Sequence, residues 1–520
     1  MWSHKARLDM SFANPGIFFE KLDKWKVISL ICLIVVSAAL LFYNAFRFEL
    51  PLGFSGMYTL MAEQISDNGY ALPESTPYYG PGGIPFAYPP FGFYVMAVIV
   101  DLFDVSIFTY LRFIPPLFSL LALVPFFLLV ERMTFSFWAA VFSTTLLLFS
   151  PTLFQNHTWS AGMVRGLAFF LMLCGFYCFY RTLEEGENRS FAILTGIFLG
   201  LTGLTHLFYG MFFALWVVCF GLIEFNINAW KKTLLTLLTS ALVGAPWAFV
   251  MITRYGFQVF TNAFSSHDNY AFQDTFLQGR LGALLSFAAV KITEAPLPVL
   301  GFVFSAAALI YLFTQRKFGI PVVLFVMVFL LSPESERFLV LVIILLTGIG
   351  FSVGMEKLKS LWLRIALVVC VVLSFAQMAA YGLEEVLGSV LFLNKNAIDV
   401  ADFVEANVPE DARYLFVAGQ SEAEWFPYFL RREPFVSKWG SEWLGTYDQQ
   451  RILQGKVSYC KDGQSYQCLK DLELNVAAGD ILITKKNQKT LAYELETSGA
   501  CQRLAVIGIY VLWSADCLAP

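Results

Sequence analysis

Charge is what this chain has least of. Asp, Glu, Lys and Arg make up 14% of its 520 residues, where a water-soluble chain carries about a quarter. That shortage excludes an ordinary solvated globule. In place of charge there is apolar bulk, 58% hydrophobic residues with 54 Phe, gathered into repeated runs of about 18 or more residues. Backbone groups cannot stay unpaired in lipid, so such runs predict membrane-spanning helices. Positive charge is not in surplus either. A net charge of -4 and a pI near 5.7 offer nothing for a polyanion, so no nucleic-acid partner is expected.

Several motifs are also missing. There is no P-loop, no Rossmann glycine pattern, no H-E-x-x-H and no G-x-S-x-G. The middles of the predicted spans are nearly free of ionisable residues, which argues against an ion-driven transporter. No C-x-x-C occurs among Cys460, Cys468, Cys501 and Cys517, so zinc is not expected there. Four cysteines allow three pairings, and the most local is Cys460–Cys468 with Cys501–Cys517. Disulfides place that region in an oxidising compartment. Cys32, Cys174, Cys178, Cys219 and Cys370 fall in spans and read as small hydrophobes.

The spans predicted are 27–45, 107–130, 134–150, 163–182, 190–205, 208–226, 232–253, 297–314, 319–333, 336–353 and 361–383, about 11 transmembrane helices. Lys21, Lys24 and Lys26 precede the first, and no small-residue cleavage site follows it, so it reads as an anchor. Residues 89–103 are apolar but short and are taken as interfacial or re-entrant. With that choice and a cytoplasmic N-terminus, Arg132, Arg181, Arg189, Lys231, Lys232, Arg316, Lys317, Lys357 and Lys359 all fall on the inner side, as the positive-inside rule requires. The expected architecture is a polytopic α-helical membrane protein. Residues 1–390 form its transmembrane part and 44–106 its first outer loop, with interfacial helices. Residues 391–520 form a small soluble α/β domain: helix 396–407, strand 413–418, strand 480–484, helix 487–497 and strand 504–513. The expected site is a cell inner membrane, with the C-terminal domain extracytoplasmic.

The candidate functional residues gather on the outer side. Glu49 follows the first span and could serve as a general base or metal ligand. Arg165, in the stretch from His157 to Arg165, stands just inside an outer helix end, where a guanidinium fork suits phosphate. His157 could bind the same anion. His206 lies at a tight outer turn, Gly203-Leu204-Thr205-His206. His267 and Asp268 mark the polar tip of a long outer loop. Glu336 and Arg337 occupy a short interfacial turn with Glu334, where charge is costly unless paired or bound; Arg337 is a second phosphate candidate. Tyr88, before Pro89 and Pro90, belongs to an aromatic belt that could stack on sugar rings.

These features together resemble the GT-C superfamily of polyprenyl-phosphate-sugar-dependent glycosyltransferases. The matching stretches are Glu49, Ile84 to Phe93, Gly162 to Arg165 and Gly203 to His206. The resemblance implies transfer of a sugar from a polyprenyl-phosphate-sugar donor to a lipid, glycan or protein acceptor within the membrane lipid, with inversion at the anomeric centre and Glu49 as base. The family's acid is usually an Asp, often in an Asp-Glu or Trp-Asp pair. Glu49 stands alone, so Glu63 and Asp67 remain alternatives. No cofactor is assigned and a divalent metal is left open. The competing functions are a lipid-linked glycan polymerase or ligase, and a non-enzymatic glycan-lipid transporter or assembly subunit.

Overall fold

A computed structural model describes residues 24–519, apart from 81, 151–152, 185–188, 224–226, 267–298, 331–335, 418, 464, 487–488 and 500. Helix α1 (Lys24–Arg47) leads into the first loop, which holds α2 (Gly56–Asp67), a two-stranded ribbon of β1 (Ser75–Thr76) and β2 (Ile84–Pro85), and α3 (Phe91–Phe103). The bundle continues with α4 (Ile107–Thr134), α5 (Phe137–Leu148), α6 (Gly162–Glu184), α7 (Ser190–Thr205), α8 (Leu207–Ile223) and α9 (Ile227–Tyr255). After the short α10 (Gln258–Ser265) come α11 (Val299–Thr314), α12 (Gly319–Leu330), α13 (Glu336–Lys357) and α14 (Leu361–Leu387).

The expectation of about 11 crossings is corrected. Among the described residues, five helices are long and apolar enough to cross a membrane: Lys24–Arg47, Ile107–Thr134, Gly162–Glu184, Ile227–Tyr255 and Arg337–Lys357. A helix rises about 1.5 Å per residue and the lipid core is about 30 Å thick, so roughly 20 residues are needed. The shorter apolar helices, of 10–17 residues, fall below that length, among them those at the predicted spans 134–150, 190–205 and 208–226. Helix α3 is one of these, 13 residues closed by a left-handed Asp104. In the bundle, Phe126, Phe142, Phe176, Phe213 and Ile344 meet in one apolar core. Helices α1 and α9 lie at its edge, with 11% of their apolar windows buried against 61–78% for the other three.

The C-terminal region opens with α15 (Asn396–Asn407) and forms a four-stranded sheet in the order β3-β4-β6-β5. Strand β3 (Tyr414–Val417) pairs parallel with β4 (Ile481–Lys485); β6 (Tyr510–Ser514) pairs antiparallel with β4 and with β5 (Arg503–Ile507). The single strand expected at 504–513 is therefore a hairpin, turned at Gly508–Ile509, where Gly508 has φ +54°. Side chains alternate across the sheet. Leu415, Leu482 and Trp513 face a core closed by α16 (Tyr447–Asp462), while Tyr414, Ile483 and Leu512 face a second core. That second core is shared with the first loop: Met57, Tyr58, Tyr79 and Phe86 pack there with Trp425, Phe426 and Trp443. The two expected disulfides, Cys460–Cys468 and Cys501–Cys517, are both formed.

Candidate active site

The site is built around rings that hold charged groups. His157 lies on a π-turn, Phe154–Thr158, just before α6. Its carbonyl oxygen would stand 2.0 Å from a Cβ at position 162, so only glycine lets the turn lie against the helix start. That approach buries His157 to 2% exposure and stacks its ring on Phe169 at 4.3 Å. His157 Nε2 is 2.6 Å from the Tyr209 hydroxyl.

His206 is the extended residue, φ -158°, that joins α7 to α8. It is buried, with its ring 5.1 Å from that of Tyr209 and 6.2 Å from that of Tyr88. Arg337, at the start of α13, sets its guanidinium 5.5 Å from the Tyr209 ring. Arg337 and His157 also line one small cavity with Ser150 and Phe169; at about 10 Å³ it has room for a single water. Tyr209 thus joins His157, His206 and Arg337.

A second group adjoins through Tyr88. Its hydroxyl is 2.8 Å from that of Tyr58, on α2. Burial pushes both phenols above their ordinary range, and the nearby positive charge of Arg165 pulls both back. Arg165 itself lies over the Phe54 ring at 5.7 Å. From the C-terminal domain, Trp443 meets Tyr88 edge-on at 5.8 Å, and the neighbouring Glu442 raises both phenols by its charge. Burial pushes the carboxyl of Glu442 up to about 7. Glu424, which is fully buried, is likewise pushed up to about 7 although backbone N–H groups of Ser55, Gly56 and Met57 donate to it.

Of the residues expected from the sequence, Tyr88, His157, Arg165, His206 and Arg337 meet in this network. Glu49 is elsewhere: its side chain is 85% exposed and its carboxylate is 3.5 Å from Lys395 Nζ. Glu63 accepts from Tyr428 Oη at 2.7 Å and from Arg431 at 2.6 Å, and Asp67 is exposed at the end of α2. His267, Asp268 and the side chain of Glu336 lie outside the described residues. Sequence reasoning missed Tyr58, Tyr209, Glu424 and Glu442. The available signal for Tyr209 was its place three residues beyond His206, one helical turn along. Among the described residues, no group of three or more His, Cys, Asp or Glu could hold a metal ion.

A profile of the dolichyl-phosphate-mannose-protein mannosyltransferase family matches residues 82–260, from within the first loop to the start of α10. Solved structures align over nearly the whole chain. The oligosaccharyltransferase AglB from Archaeoglobus fulgidus superposes with TM-score 0.64 at 14% identity, over 95% of this chain and 74% of its own. ArnT from Cupriavidus metallidurans does so with TM-score 0.55 at 14% identity, over 95% and 99%. The mycobacterial arabinofuranosyltransferase AftD gives 0.57 at 11% identity, over 95% and 40%. A sequence comparison with curated proteins finds no match. The chain has the fold of integral-membrane glycosyltransferases. That fold is the GT-C fold, the one expected from the order of its sequence motifs.

Proposed function

We propose that this protein transfers a sugar from a polyprenyl-phosphate-linked donor to a hydroxyl-bearing acceptor at the outer face of a cell membrane. The observation that carries this reading is the gathering of Arg337, His157 and His206 about Tyr209, with Tyr88 against His206 and Arg165 near enough to act on Tyr88 by its charge. Two of the solved relatives were captured with dolichol-phosphate and undecaprenyl phosphate, which supports the same donor class here.

In this reading the donor's lipid lies between spans and its phosphate meets Arg165 and Arg337. The acceptor oxygen attacks the anomeric carbon in one displacement, which inverts that centre. Charge grows on the departing phosphate as the bond breaks, and the fixed guanidinium groups stabilise it. Two local disulfides support an oxidising compartment, and hence an extracytoplasmic C-terminal domain from about residue 391. The exposure of Glu49 and its pairing with Lys395 argue against its acting as the base. The purified protein is to be presented with a panel of polyprenyl-phosphate sugars and release of polyprenyl phosphate measured. Turnover of at least one donor is expected; binding of the lipid phosphate with no transfer from any donor would refute the reading.

A further inference from the structure

We infer that Glu442, carried in from the C-terminal domain, is the general base that accepts the acceptor's proton, an assignment that rests on the sugar-transfer reading above. The residue stands on a tight turn, Ser441–Leu444, bracketed by Gly440 and Gly445 at φ +82° and +73°. A Cβ at Gly440 would lie 2.3 Å from Ile84 Cδ1, and one at Gly445 3.1 Å from Asn262. The turn is therefore wedged between the first-loop strand β2 and helix α10. The adjoining Trp443, 5% exposed, is seated edge-on against Tyr88. Glu442, half-buried next to that contact, is near enough for its charge to raise the Tyr58 and Tyr88 phenols, which also feel Arg165.

The titratable groups that feel its charge are Tyr58, from α2, and Tyr88, from the first loop; both also feel Arg165, from α6, and Tyr58 feels Glu424. His206 lies behind Tyr88. Strand β2 and helix α10 contribute no titratable side chain, and α16 opens with Tyr447 and Asp448, the latter 3.2 Å from Arg451. A carboxyl held near 7 by burial is matched to proton transfer at neutral pH. In the step, the acceptor's O–H proton passes to the Glu442 carboxylate as its oxygen bonds to the anomeric carbon. The bond from that carbon to the phosphate oxygen breaks with its electron pair, polyprenyl phosphate leaves, and Glu442 returns the proton to water.

A merely structural Glu442 would act as a turn acceptor, since backbone N–H groups of Gly440 and of Glu442 itself donate to its carboxylate. Glu442→Gln keeps a side-chain oxygen for that purpose, so it separates the two roles. The expected result is a fall in kcat/KM of about 100-fold or more, with polyprenyl phosphate binding unchanged and the thermal midpoint not lowered. Glu442→Asp should recover part of the loss. Wild-type kcat/KM should decline as pH drops below about 7, where Glu442 is protonated, and that limb should be absent in Glu442→Gln. Glu49→Gln should turn over like wild type. If the wild type transfers sugar and Glu442→Gln does so equally, or loses activity only together with lipid-phosphate binding, the base assignment is overturned while the functional reading stands. If the wild type binds the lipid phosphate and transfers from no donor, both fall.

Discussion

At the scale of single residues, Arg337 illustrates how a scarce charge is put to use. Its guanidinium lies over Tyr209 at 5.5 Å, and the same tyrosine holds His157 at 2.6 Å. A charge-assisted hydrogen bond to phosphate contributes about 1.5–3 kcal/mol, so Arg337→Gln should weaken polyprenyl phosphate binding by roughly 10- to 100-fold. Tyr209→Phe should instead lower stability by about 1–3 kcal/mol, because buried His157 loses a partner, with a smaller change in affinity. Titration calorimetry and thermal unfolding on the two variants distinguish these effects. Equal binding by Arg337→Gln and wild type would remove Arg337 from the anion site. Arg165, His157, His206 and Arg337 were legible in the sequence because charge at a helix end stands out in an apolar chain. Glu442 was not: it lies in a region where carboxylates are ordinary, and Tyr58 and Tyr88, on which its charge acts, are more than 300 positions away in the chain.

At the scale of elements, the decisive contact is the N-terminus of α2. Glu424 receives the Gly56 and Met57 N–H groups at 2.9 Å each, so a helix of the first loop is capped from the C-terminal domain. A helix N-terminus favours a negative group, yet burial dominates and raises this carboxyl from 4.5 to about 7. The consequence for stability has a definite sign. Below pH 4.5 the group is protonated in both folded and unfolded states and its contribution is fully present; it is lost as pH rises through about 7 and is constant above that. Glu442 adds a slope of the same sign over the same window. Unfolding followed from pH 4.5 to 7 should therefore show a shallower decline in Glu424→Gln than in wild type; identical slopes would mean that Glu424 does not titrate on folding. The helices were legible from apolar run length, but their ends were less so. The turn at His206 was read correctly, but run length did not show that helices such as α5, α7 and α8, of 12, 16 and 17 residues, fall short of a full crossing. The β5–β6 hairpin was hidden likewise, its turn being one glycine inside an apolar run.

For the whole molecule, the first loop and the C-terminal domain share a core. The sequence suggested an independent unit of modest size, because periodicity reports which face of a strand is apolar and says nothing about a partner hundreds of residues earlier. One face of the sheet is completed by Met57, Tyr58, Tyr79 and Phe86. Trp425 joins the two halves: it is fully buried, its indole N–H donates to the Gly53 carbonyl at 2.8 Å, and its ring lies 6.5 Å from Phe108. Arg431 reaches Glu63 at 2.6 Å, and Tyr79 donates to the Glu424 carbonyl at 2.8 Å. Truncating a buried tryptophan costs about 3–5 kcal/mol, and here the loss falls on both halves together. Trp425→Ala should make the first loop and the C-terminal domain protease-sensitive in a single step, and sugar transfer should disappear with them, because Glu442 and Tyr88 are held in register by the same core. The transmembrane bundle, whose core is separate, should stay intact on the same gel. Cleavage confined to the C-terminal domain, with the first loop still protected and transfer retained, would mean that the two halves fold independently and that the site does not depend on their contact.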